Sequence, residues 1–241
     1  MRTIDIHAHW YPAEWLKLFE KDGPKEGAKL ERTPEGYTIR TERITNTFDE
    51  KFVDLAMRLE GMRRQGVDVH ALSLTAPMVY WASPGLGLAL SQAYNDAASA
   101  AHLRHPGRFI GLAMLPMQAP DLALKELERC ARLPGMRGMY LATNINGGDL
   151  DDRRYWDIYA KAEELGWPVF LHPVDTIGHD DRINANLVRL VGADRVVLGS
   201  DYCFDMGLAD PVATVERLDC LSQEEKNLIK GKTAARLLRL I

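Results

Sequence analysis

Two histidines stand two residues apart near the start of the chain, in Ile4-Asp5-Ile6-His7-Ala8-His9. Neutral imidazole is the commonest side-chain metal ligand, and a pair of imidazoles on one rigid face is half of a metal site. Apolar and polar residues alternate here, so the stretch is expected to be a β-strand. Ile4 and Ile6 would share one face, with Asp5, His7 and His9 on the other. Two later apolar runs also end in ligand-type residues: Val169-Phe170-Leu171-His172 and Val196-Val197-Leu198-Gly199-Ser200-Asp201. His179 follows His172 closely, and His70 lies in an alternating stretch with no partner in this set, which points to a structural role.

The elements that must position these groups follow from periodicity. Strands are expected at 67–74, 109–115, 138–142, 168–172, 174–179 and 195–199, besides the first. Helices are expected at 54–65, 87–104, 121–133, 151–165, 180–191, 222–230 and 233–240. The inward stripes would be Leu55, Leu59 and Met62, then Leu90, Ala93, Tyr94, Ala97 and Ala101, then Leu124, Leu127 and Ala131, then Trp156, Tyr159, Ala160 and Ala162. Apolar strands alternating with amphipathic helices imply a parallel sheet covered by helices. With no Gly-x-Gly-x-x-Gly fingerprint, the pattern favours a (β/α)8 TIM barrel over a dinucleotide-binding sheet. In such barrels the strand C-termini form the site, which gathers His7, His9, His172 and Asp201 on one rim.

The pattern is interrupted once. Pro173 leads straight into the strand-like Val174–His179 with no helix between, although a parallel crossover needs about a dozen residues or more. Seven strand segments result where a barrel has eight, as if about one strand-helix unit were missing after strand five. Residues 10–48, rich in Pro and Gly, read as an irregular loop over the site, with Gly36–Arg40 as part of a small hairpin. Trp10, Tyr11 and Trp15 would either wall the site or anchor this loop. Arg40 and Arg43 could pair with a substrate carboxylate.

The 241 residues suit one domain spanning 1–241. A net charge of −4, with 46% hydrophobic and 27% charged residues, gives no reason to expect nucleic acid or an anionic membrane as partner. Three cysteines without a CxxC spacing suggest a reducing compartment, and no membrane-spanning run is read, so a cytoplasmic location is expected.

Ile4–His9, Gly66-Val67-Asp68-Val69, Phe170-Leu171-His172-Pro173 and Leu198-Gly199-Ser200-Asp201-Tyr202-Cys203-Phe204 occur in this order in a known group. Along nearly its whole length the chain resembles the amidohydrolase-related decarboxylases of the aminocarboxymuconate-semialdehyde decarboxylase type. The resemblance implies a distorted barrel and a divalent metal, zinc or manganese, held by His7, His9, His172 and Asp201. It implies non-oxidative decarboxylation of an unsaturated or aromatic carboxylic acid, with a small-molecule carboxylate as substrate and a homodimer as the assembly. Asp201 would serve as both ligand and proton acceptor.

Two departures from the pattern stand out. The family's segment ending in His-Gly-Gly, which carries its acid/base histidine, is missing between His172 and Asp201, leaving His179 as the nearby candidate. Lys232-Thr233 also replaces the family's Asn-Ala. Hydrolysis of a lactone or amide on the same scaffold, or an inactive scaffold, are the alternatives. Specificity would lie in the loops after Trp10, Thr75 and Thr143.

Overall fold

The alternating segment at the N-terminus forms β1 (Ile4–His9), and the rest of the main sheet is laid out from it. In the computed structural model, which describes residues 2–172, 188, 192–204 and 207–240, five parallel strands are ordered β1-β5-β6-β7-β8. The other four are β5 (Val69–Ser73), β6 (Phe109–Met114), β7 (Met136–Ala142) and β8 (Val169–His172). Helices α2 (Leu55–Gln65), α3 (Pro84–Arg104), α4 (Pro120–Cys130) and α5 (Trp156–Leu165) provide the crossovers. Each parallel step needs such a crossover. Strands β5 and β6 are buried along their whole length, as a sheet covered on both faces requires.

Local chemistry accounts for the helix boundaries. Asp54 caps α2 by accepting hydrogen bonds from the Ala56 and Met57 amides, and Gly66 ends it in the left-handed region at φ 68°. Ser83 caps α3, with Pro84 in its first turn.

Several expectations change at this level. Residues 10–48 are an ordered cap, not an irregular loop. They hold α1 (Ala13–Asp22) and an antiparallel sheet of β2 (Lys29–Thr33), β3 (Gly36–Arg40) and β4 (Thr45–Phe48). The hairpin containing Gly36–Arg40 is thus present, with a third strand. Trp10, Tyr11 and Trp15 are buried and anchor this cap, Tyr11 stacking on Phe48 at 4.3 Å. The inward stripes shift because helices present a wider face than the periodicity of large residues shows. Ala98 and Asn95 are buried in α3 and Glu126 in α4, whereas Trp156 of α5 is exposed beneath the Arg153 guanidinium.

The expected last strand, 195–199, forms no regular ladder: Arg195 ends a 3-10 turn (Ala193–Arg195), and the chain becomes extended at Val196. It runs beside the free edge of β1: Ile6 N–H donates to Leu198 O (3.1 Å), His9 N–H donates to Tyr202 O (2.6 Å), and Ala8 and Tyr202 form a parallel bridge. This contact closes the barrel-like curl on the β1 side. At the C-terminus α6 (Pro211–Glu216) was not expected. The two expected helices form one run of α7 (Gln223–Asn227), a π-turn at Leu228–Lys232 and α8 (Thr233–Leu237). The expected strand at 174–179 and most of the helix at 180–191 lie outside the described residues, as does His179.

Candidate metal centre

The rim of the sheet brings His7, His9, His172 and Asp201 together, each with one ligand-type atom inside a cluster no wider than 4.8 Å. The imidazole centroids of His7 and His9 are 4.7 Å apart, and that of His172 lies 5.2 and 5.1 Å from them. Asp201 Oδ1 stands 3.5 Å from His7 Nε2 and 3.1 Å from His9 Nε2.

A β-bulge helps to make this convergence possible. From Asp5 to Ala8 the first strand advances three residues while β5 advances two, from His70 to Leu72. An extra residue of this kind bends a strand and re-aims its side chains. Asp5 stabilises the bulge by accepting from the His7 amide (2.9 Å) and the Ser200 amide (3.1 Å), and the Ser200 hydroxyl donates to its other oxygen. One buried carboxylate therefore ties the His7 backbone to the residue preceding Asp201. Asp201 itself sits at φ 59°, a region that aspartate tolerates better than most residues.

Gly199 faces His7 closely, since a Cβ there would lie 2.9 Å from His7 Cβ. Gly199→Ala is expected to displace the His7 ring and weaken metal binding roughly tenfold or more, the usual scale for a disturbed ligand environment. Titration of the variant with zinc against a chromophoric chelator checks this, and an unchanged affinity would show that His7 can move without consequence.

Sequence reasoning passed over Arg58. It is fully buried, donates through Nη2 to His9 O, lies 3.3 Å from His70 Nδ1 through Nη1, and stacks on Tyr202 at 5.0 Å. A signal was available: an arginine in register with Leu55 and Met62 belongs to the buried stripe of α2. His70 is structural, buried between Arg58 and Asp5, with its Nε2 3.7 Å from Asp5 Oδ2.

The electrostatics favour neutral imidazoles. Burial, reinforced by Arg58, pulls His9 down to about 3. Burial, then the two neighbouring histidines, also pulls His172 down to about 3. His70 lies well below its usual value, mainly through burial. Burial pushes Asp5 up to about 6 against its hydrogen bonds.

A histidine with a depressed folded pKa binds its proton first in the unfolded chain, so stability falls as pH drops from about 6.5 toward 3. Asp5 acts in the opposite sense between about 3.8 and 6. Three histidines against one aspartate leave an acid-labile fold, each unopposed proton contributing about 1.4 kcal/mol per pH unit. Denaturation midpoints of chelator-treated protein should therefore fall steadily below roughly pH 6.5. A flat profile would contradict the buried neutral imidazoles.

His9 Nε2 and His172 Nδ1 are buried and have no hydrogen-bond partner among the described residues. Buried nitrogens left in this state are costly unless a ligand completes them. The donor set of three imidazoles and one carboxylate suits a divalent first-row metal. The site therefore fits a cation.

Beside His172 lies a cavity of about 590 Å³ bounded by Arg43, Ile44, Met78, Trp81, Asn144 and Asn146, among others. These residues come from the cap and from the loops after Thr75 and Thr143. A shallower groove of about 730 Å³ between α2 and residues 202–204 and 207–209 contains none of the four clustered side chains.

The amidohydrolase family model matches residues 4–189. The 2-amino-3-carboxymuconate-6-semialdehyde decarboxylase of Dictyostelium discoideum is 34% identical over 193 residues, covering 78% of this chain and 54% of that protein. Among solved structures, Metarhizium anisopliae IDCase in its apo form aligns with a TM-score of 0.83 at 17% identity, over 99% of this chain and 97% of that one. The 5-carboxyvanillate decarboxylase of Novosphingobium aromaticivorans, complexed with manganese and 4-hydroxy-3-methoxy-5-nitrobenzoic acid, aligns with a TM-score of 0.78 at 17% identity, over 99% and 96%. At such identities the structural likeness establishes the fold, which is that of the amidohydrolase-type decarboxylases. The chain spans about half the length of the curated relatives it matches. The matched stretch carries three of the four converging side chains, and by that match the chain belongs to the amidohydrolase family.

Proposed function

We propose that this chain is a metal-dependent, non-oxidative decarboxylase of an unsaturated or aromatic carboxylic acid. The observation that carries the reading is the convergence of His7, His9, His172 and Asp201 within 4.8 Å at the strand C-termini, beside a cavity large enough for such a substrate. These four residues would hold the cation, zinc in our reading, with manganese as the alternative. When bound, it supplies Lewis-acid stabilisation of charge developing on the substrate's oxygens.

The chain's own residues do the remaining work. Arg43, exposed at the cavity edge, pairs with a substrate carboxylate, and Ile44, Met78 and Trp81 supply apolar walls for a ring or a conjugated chain. Asp201 accepts a proton at its carboxylate. His179, the candidate acid/base residue, would deliver one to the carbon that loses CO2. The substrate is a soluble small molecule, the assembly a homodimer, the location cytoplasmic, and residues 1–241 act as a single domain. Among the described residues no helix is long and apolar enough to cross a membrane.

CO2 release from carboxylated catechols, resorcinols and muconates, assayed beside lactone and amide hydrolysis, tests the reading. Release of CO2 supports it, hydrolysis alone would transfer the chain to the hydrolases, and neither, with metal bound, would leave an inactive scaffold. On an accepted substrate, Arg43→Ala is expected to raise KM by roughly tenfold or more with a smaller change in kcat, the pattern of lost ground-state binding.

A further inference from the structure

Gly61 stands in the middle of α2, where glycine weakens a helix relative to alanine. The reason for it is Tyr202. A Cβ at Gly61 would run into Tyr202 Oη and lie 2.9 Å from Tyr202 Cζ. The ring is not free to swing aside, because it packs on the Arg58 guanidinium at 5.0 Å and on the His70 ring at 5.3 Å. The helix is therefore pressed against the residue that follows Asp201.

Arg58 lies three residues before Gly61, on the same face of α2. It is fully buried, and its contacts reach every ligand-bearing stretch except that of His172. Toward β1, Nη2 donates to His9 O. Toward the stretch after Asp201, the same nitrogen reaches Cys203 Sγ at 3.5 Å while the guanidinium covers the Tyr202 ring. Toward β5, Nη1 lies 3.3 Å from His70 Nδ1. A guanidinium can only donate, so His70 Nδ1 accepts and the neutral ring carries its hydrogen on Nε2. That nitrogen faces Asp5 Oδ2 at 3.7 Å, and Asp5 in turn accepts from the His7 and Ser200 amides.

Asp201 is carried by a stretch joined to β1 through backbone hydrogen bonds from Ile6 and His9, not through a regular ladder. The His9 ring has its own partner in Ser73, whose Oγ is 3.1 Å from Nδ1. What Arg58 adds is the placement of the His9 backbone against Tyr202 and Cys203. We propose that Arg58 is a positioning residue of the metal centre: backed by Tyr202 against Gly61, it sets the separation of His9 and Asp201 from outside the cluster. The inference rests on the metal-site reading above and extends it to a residue that touches none of the four clustered ligand atoms.

Gly61→Ala tests this without altering Arg58 or a ligand. Alanine favours the helix, so the fold is expected to persist, checked by the thermal midpoint of the metal-free protein. Zinc affinity, measured by chelator competition, should fall roughly tenfold, the scale of a disturbed ligand environment. The visible spectrum of the cobalt(II)-loaded protein, which reports coordination geometry, should depart from that of the wild type. In the metal-free protein the His9 ring ¹H–¹³C resonances, assigned by their loss in His9→Asn, should shift. Arg58→Lys keeps the charge but cannot reach His9 O, His70 and Cys203 together, and it should reproduce all three changes. A merely structural Arg58 would lower the thermal midpoint of Arg58→Lys and leave the affinity, cobalt spectrum and His9 resonances of the folded protein as in the wild type, which would overturn the proposal. Wild-type values in Gly61→Ala would also overturn it. Should either variant fail to fold, the other carries the same readouts. If the wild type takes up neither zinc nor cobalt, the metal-site reading fails, and the His9 resonances still decide whether Arg58 places that residue.

Discussion

Protein purified without chelator is expected to carry about one divalent ion per chain by elemental analysis, and His172→Ala is expected to carry essentially none. His172 ends β8, the strand farthest along the sheet from the one carrying His7 and His9. Its imidazole nevertheless comes within about a ring's width of theirs, at 5.2 and 5.1 Å between centroids. Removing it leaves two imidazoles and a carboxylate with an open side, and affinity should fall beyond what purification retains. Metal added back should raise the wild-type thermal midpoint and leave that of His172→Ala unmoved, because only a site formed in the folded chain couples binding to stability. Wild-type protein that neither retains nor is stabilised by zinc or manganese would defeat the metal-centre reading.

The largest effect on stability is expected at Arg58. Arg58→Met approximates the stem and removes the guanidinium, which donates to His9 O, lies against His70 Nδ1, and reaches Cys203 Sγ at 3.5 Å. Each of these groups is then left with less than its complement of partners, and Asp5 loses the favourable field of the guanidinium. Hydrogen bonds to charged groups are worth about 1.5–3 kcal/mol, and a buried charge deprived of its partner costs about 3–5 kcal/mol, so a loss of about 3 kcal/mol or more is expected. Urea denaturation monitored by tryptophan fluorescence gives the value directly. A variant as stable as the wild type would mean that desolvating Arg58 had offset everything it holds.

The residues of the candidate centre were legible in the sequence because each stands at or near the C-terminal end of an apolar stretch, and such ends meet on one rim in this architecture. His7 and His9 needed only the two-residue period. His172 and Asp201 needed the rule that parallel strands separated by helices place equivalent ends together. The limits of α2 were likewise written locally, in Asp54 and Gly66, since capping is a matter of a few neighbouring residues, whereas α3 starts at Pro84 behind the Ser83 cap, three residues before the expected 87.

Other features belonged to the tertiary structure. The bulge between Asp5 and Ala8 has no local signal, because it depends on how β1 meets β5 and on Ser200, which lies far away in the chain. The ordered cap over residues 10–48 is stabilised by Tyr11 stacking on Phe48 and by burial of Trp15 and Phe19 against the body of the protein, contacts without periodicity. Arg58 and Ser73 look like ordinary members of a helix and a strand. Their meaning comes from desolvation: once buried around His9, their few polar atoms must find partners there, and that requirement exists only in the folded chain.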